Sequence, residues 1–185
     1  GTGIFLGHVL LSRVGQERAV EIIAHRGAAG SRPENTMAAV TKAIEDRADW
    51  VEIDVQEDAD GEVVVAHDSD FMKLAGVDLK VWEATADDIA RIDIGSWFGP
   101  EYQDQRTPFL KDVLLAARGK SKVIIELKYY GHDVDLERKV AEIVEEAMMS
   151  KDVAVMSLKY PGLQKMQYIR PELRSGVLAA KAIGD

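Results

Sequence analysis

A chain of 185 residues has the length of one ordinary domain, and its 46% hydrophobic and 30% charged content is globular rather than disordered. With 32 acidic residues against 23 basic and a net charge of −9, it lacks the basic face that nucleic-acid binding requires. No cysteine is present, which removes disulfides, thiolate nucleophiles and cysteine-held zinc and leaves the cellular compartment open.

The only apolar run near the N-terminus, IFLGHVLL from Ile4 to Leu11, is shorter than the roughly 18 residues of a membrane span. It also lacks the basic flank and small-residue cleavage site of a signal peptide. Residues 1–19 are therefore expected to be a packed N-terminal segment or the stub of a membrane anchor. Val20 to His25 reads as a first strand. A helix follows from Pro33 to Ala48, with Met37, Val40, Thr41, Ile44 and Ala48 at helical spacing. Trp50 to Val55 is a second strand, and the turn at 58–61 leads into a third from Glu62 to His67.

The segment from Asp68 to Arg106 then interrupts the rhythm. It holds a short helix opened by Thr85 with Asp88 three residues on, and the aromatic loop GSWFGPEY at 95–102. An interruption of this length marks an insertion. The rhythm resumes with a helix capped by Thr107 and closed near Gly119. Then come a strand from Lys122 to Lys128, a helix opened by Asp133, a strand from Val153 to Ser157, a helix from Pro161 to Ile169 and a strand from Gly176 to Ala179. Alternation of β-branched runs with helices predicts an α/β fold: a TIM-type (β/α)8 barrel of about six strands, incomplete, with an insertion after strand three. A doubly wound open sheet is the alternative, because it shares the alternation.

Side chains alternate along a strand, so Glu52 and Asp54 share one face while Val51, Ile53 and Val55 share the other. In VIIELK, Glu126 and Lys128 likewise lie together. If the apolar faces meet the helices, the charged faces meet the barrel lumen, where His25, Arg26 and His67 also end their strands. Three carboxylates from two strands, without cysteine, describe a site for a hard cation, Ca²⁺ or Mg²⁺. Arg26 and Lys128 then supply a fork and a point charge for a phosphate, and the two histidines a base and an acid. Metal-assisted phosphoester cleavage is the implied reaction. Taken singly, a strand-end histidine is more often a packed residue, Glu-x-Asp a solvated face and Glu-x-Lys a simple ion pair. Four strand ends together need one explanation, since a buried ring of unpaired charge is costly.

These residues resemble the glycerophosphodiester phosphodiesterase family. The chain carries His25-Arg26-Gly27 with Pro33-Glu34-Asn35-Thr36, Glu52 and Asp54 with Asp60-Gly61, then His67-Asp68, then Glu126 and Lys128, and TPFLKDVL at the exit from the insertion. The resemblance implies a catalytic domain over residues 20–185, with residues 68–106 inserted and the barrel's last strands lying beyond the chain. It implies a divalent cation on Glu52, Asp54 and Glu126, with His25 and His67 as acid and base and Arg26 and Lys128 holding phosphate. The expected partner is a small glycerophosphodiester, hydrolysed to glycerol 3-phosphate and an alcohol. KYYGHDVDLERKV at 128–140 is further similar to bacterial relatives with an N-terminal membrane domain, which is the basis for an anchor stub and membrane association. Two alternatives stand beside this reading: a sphingomyelin-cleaving phospholipase D, which relies on disulfides this chain lacks, and an inactive phosphate-binding fragment.

Overall fold

In the computed structural model, residues 21–169 and 174–177 are described. Their strands in chain order are β1 (Ile23–Ala24), β2 (Trp50–Glu57), β3 (Val63–Val65), β4 (Asp70–Phe71), β5 (Val77–Lys80), β6 (Lys122–Leu127), β7 (Val153–Ser157) and β8 (Arg174–Val177). The helices are α1 (Met37–Glu45), α2 (Met72–Ala75), α3 (Ala86–Arg91), α4 (Leu110–Ala117), α5 (Leu136–Glu146) and α6 (Tyr160–Ile169).

Strands β1, β2, β6, β7 and β8 lie side by side in that order, all parallel, and β3 pairs with β2 from the side. Parallel neighbours follow chain order without a reversal, so the sheet has no switch point of the doubly wound kind. Packing decides in the same direction. Val51, Ile53 and Val55 of β2 and Val123, Ile125 and Leu127 of β6 form one core with Val40 of α1, Leu114 of α4, Val140 of α5 and Met166 of α6. All four long helices thus cover one face, while the other carries Glu52, Asp54, Gln56 and Glu126, which is the layering of a (β/α)8 barrel segment.

One strand departs from expectation. The stretch 62–67 is antiparallel to β2, with Val55 opposite Val65 and Glu57 opposite Val63. Five residues connect the two, and a parallel crossover needs about a dozen, so a hairpin is the only connection they permit. Asp58 closes it, its Oδ1 accepting from the N–H groups of Asp60 and Glu62 at 2.9 Å. The barrel-type parallel strands among the described residues are therefore five, not six.

Helix starts also shift. Thr36 caps α1, accepting from Ala39 N at 3.1 Å, so the helix begins four residues after Pro33. Thr85 and Asp88 form the expected capping box on α3. Thr107 caps nothing: residues 107–109 run extended against β3, where Val65 N donates to Pro108 O, and α4 begins at Leu110. Asp133 does not open α5 either. The N-cap is Asp135, and its N–H and that of Val134 just before it donate to Glu57 of β2 at 2.8 Å (Val134) and 3.1 Å (Asp135), so a carboxylate from another element holds the approach to the helix.

Residues 68–106 build a second small core from Phe71, Val81, Ile89, Ile92 and Ile94, joined by Val64 of β3. Alternation along β3 explains the link, since Val63 and Val65 pack into the main core and Val64 into this one. Residues 1–19, with their expected anchor stub, lie outside the described residues. No helix among the described residues is long and apolar enough to cross a membrane.

Candidate active site

The site is assembled on β2 and β6. Register places Asp54 directly beside Glu126, and Glu52 two residues earlier points to the same face. One oxygen from each of the three carboxylates lies within 4.8 Å of the others, and all three residues are buried. Burial, followed by the charge of Asp54, pushes the Glu52 carboxyl up to about 8. Burial also raises Glu126, although Lys128 partly offsets it.

Around this acidic core the predicted cations are in contact. Lys128 Nζ lies 2.8 Å from Glu126 and 3.7 Å from Asp54. Burial works against its charge, but the hydrogen bond to Glu126 and the charge of Asp54 more than offset that and hold its pKa above the usual lysine value. The Arg26 backbone N–H donates to Glu52 at 2.9 Å, while its guanidinium pairs with Glu34 at 2.9 Å and reaches to 3.6 Å from Asp54. His25 Nε2 stands 3.7 Å from Glu52 with its side chain mostly exposed. Partial desolvation, then the neighbouring Arg26, lowers its pKa. His67 pairs with Asp68 through Nδ1 at 2.6 Å. The reversal of β3 brings it here: the hairpin climbs past Glu57 and returns, with Ala66 N donating to Asp54 O, so His67 arrives beside Asp54 rather than at a third parallel rim.

The loop between β1 and α1 is tightly determined. Arg26, Gly27 and Asn35 all adopt positive φ. A side chain at Gly27 would come within 2.7 Å of the Ala39 backbone, so only glycine lets the loop close over α1. Asn35, in the uncommon left-handed conformation, donates to Asp54 at 3.0 Å and is itself fixed by its N–H to Arg26 O.

Two site residues escaped the sequence reading. Asn35 orients Asp54, and Glu34 bridges Arg26 to Lys73 of the insertion, with Lys73 at 2.7 Å. Both sit in the PENT stretch just before the Thr36 cap, where polar residues are ordinary helix-start chemistry. Their burial is the signal, and the sequence does not display it.

Glu52 Oε1 and Asp54 Oδ1 are buried with no hydrogen-bond partner, as is Arg26 Nε. Buried carboxylate oxygens without donors, clustered with a third carboxylate, fit a hard divalent cation whose ligands are all oxygen. Water-borne acids would spread apart; these are held together by strand register.

Comparison with known proteins agrees with this arrangement. The model of the glycerophosphoryl diester phosphodiesterase family matches residues 25–172. YhdW of Bacillus subtilis is 34% identical over 163 residues, covering 88% of this chain and 67% of that protein. The crystal structure of a glycerophosphodiester phosphodiesterase from Agrobacterium tumefaciens superposes with a TM-score of 0.76 at 35% identity, covering 84% of this chain. A phosphodiesterase from Oleispira antarctica, solved in complex with the product sn-glycerol-3-phosphate, has a TM-score of 0.76 at 28% identity over 85% of this chain. The chain spans 65% of each of these two structures. With the family model matching residues 25–172, and with its motifs in order on a one-sided parallel sheet, the chain belongs to the glycerophosphoryl diester phosphodiesterase family.

Proposed function

We propose that this chain carries the metal-binding and acid/base portion of an enzyme that hydrolyses glycerophosphodiesters to glycerol 3-phosphate and an alcohol. One observation carries the reading: three buried carboxylates from neighbouring strands meet within 4.8 Å, two of them with oxygens that no donor satisfies. Glu52, Asp54 and Glu126 hold the cation, Ca²⁺ or Mg²⁺. Bound there, the cation neutralises the carboxylates and draws charge from the phosphoryl oxygens.

The remaining roles follow from placement. Lys128 meets the phosphate as a point charge, and Arg26, released from Glu34, as a fork. Of the two imidazoles flanking the acids, one takes the proton from the attacking oxygen and the other gives a proton to the departing alcohol. The phosphorus–oxygen bond to the alcohol breaks, and water supplies the new oxygen on phosphorus. Asp68 fixes the His67 tautomer, and Asn35 fixes Asp54. That a relative of 28% identity was solved with sn-glycerol-3-phosphate as its product supports the substrate class.

Turnover of glycerophosphocholine, coupled to detection of glycerol 3-phosphate in Ca²⁺, Mg²⁺ or chelator, tests the proposal. Activity lost in chelator and in His25→Ala is expected. Activity indifferent to both, or release of choline from sphingomyelin in its place, would refute it.

A further inference from the structure

Beside the phosphate-binding lysine the charged ring gives way to an aromatic ledge. Tyr130 and His132, in the loop after β6, meet Trp82, which the insertion supplies from a 3-10 turn at Val81–Glu83. His132 stacks on Trp82 with ring centroids 4.1 Å apart and planes 6° from parallel, and the Tyr130 ring lies 6.3 Å from Trp82. The ledge borders a shallow cleft shared with Lys128, Glu57 and Asp133. Tyr130 ties it to the reaction centre, because its hydroxyl donates to the His67 carbonyl at 2.6 Å.

What the cleft can recognise is narrowed by where its polar groups already point. Gln56 spends its amide hydrogens on the carbonyls of Ala66 and Asp68, at 2.9 and 2.7 Å. Glu57 is taken by Lys139 and two backbone N–H groups, and Tyr130 by His67. A polyol or a primary ammonium needs several directed hydrogen bonds, and the committed groups leave few. The exposed ring of Tyr130, the edge of the Trp82–His132 stack and the exposed carboxylate of Asp133 remain, and those suit a cation that needs no hydrogen bond at all.

We infer that the Trp82–His132–Tyr130 ledge, with Asp133 at its mouth, is a subsite for a quaternary ammonium head group on the alcohol side of the substrate. The inference rests on the proposed phosphodiesterase reading for the word substrate. The insertion thereby takes part in selecting the head group, while the carboxylates on β2 and β6 remain indifferent to it.

Two measurements on the intact chain test this separately. Choline chloride, or tetramethylammonium, titrated into the protein should quench tryptophan fluorescence, and the quench should vanish in Trp82→Leu although two other tryptophans remain. In steady state, the KM for glycerophosphoglycerol divided by that for glycerophosphocholine should fall about tenfold in Trp82→Leu, the size of a partly desolvated cation–π contact. The same ratio should fall about threefold in Asp133→Asn, whose exposed position spares the fold. Quenching without any turnover would leave the ammonium cleft standing and remove the phosphodiesterase reading. Turnover without quenching, or a KM ratio unmoved by both variants, would overturn the subsite.

Discussion

The two faces of β2 are made by alternate residues of one strand and obey opposite rules. Ile53 is fully buried among the helices and contributes by filling space. Glu52, one residue earlier and almost as buried, places an acid where its charged form is penalised and keeps an oxygen unsatisfied. The first face stabilises the fold, and the second draws on that stability to hold like charges together for a ligand. A rigid strand makes this possible, because the carboxylates cannot relax apart without breaking register with β6.

Paired substitutions should split the two faces most widely. Glu52→Gln is expected to weaken Mg²⁺ or Ca²⁺ binding by at least about 100-fold, since loss of a mere outer partner already costs 10–100-fold. The same change should leave the melting temperature in chelator unchanged or higher. Ile53→Ala should do the reverse, costing about 2–5 kcal/mol of stability while folded molecules still bind the metal. Calorimetric titration and denaturant unfolding measure both. A Glu52→Gln protein destabilised as much as Ile53→Ala would show that the acid face also packs.

Proton linkage sharpens the contrast. With its carboxyl raised from 4.5 to about 8 by burial and then by Asp54, Glu52 keeps its proton in the folded chain at pH values where the unfolded chain has released it. Its contribution to stability is full below about pH 4.5 and is lost as pH rises through about 8. In chelator the melting temperature should therefore decline across that window, and Glu52→Gln should flatten the decline. A cation competes with the same proton, so metal affinity should climb with pH and level off above 8.

The insertion offers a second comparison, because its core is its own. Ile89→Ala empties space there rather than in the barrel core, so the loss should appear as faster amide exchange over residues 68–106, with Val51 and Val123 still protected. Uniform loss of protection would mean that Val64, the shared residue, makes the two cores one cooperative unit.

These contrasts also explain what could be read from the chain alone. Period-two alternation in WVEIDV assigned Glu52 and Asp54 to one wall, and the same reasoning on VIIELK placed Glu126 and Lys128, because a strand face follows from spacing. Direction does not: Val63–Val65 alternates identically in a parallel or an antiparallel strand, and only the short connection from Glu57 discloses the hairpin. Caps failed where tertiary partners intervened, as at Asp133, where Glu57 instead holds the Val134 N–H from 77 residues earlier. Glu34 and Asn35 were hidden for a similar reason, since their function depends on Asp54, Arg26 and Lys73 arriving from elsewhere.

Lys73 gives the smallest and most discriminating expected effect. Its ammonium is half exposed, so its pair with Glu34 is a screened contact, worth about 0.2–1 kcal/mol. Removing it in Lys73→Met leaves the whole of the Glu34 charge to Arg26, which strengthens the hold that Arg26 must loosen to reach a phosphate. The KM for glycerophosphocholine should rise about two- to fivefold, with kcat and melting temperature nearly unchanged. High salt should shrink the difference between Lys73→Met and the parent chain, because the exposed pair is already screened there. A tenfold fall in kcat would instead show that the insertion acts on the reacting phosphorus, and the separation between a barrel that performs chemistry and an insertion that tunes access to it would no longer hold.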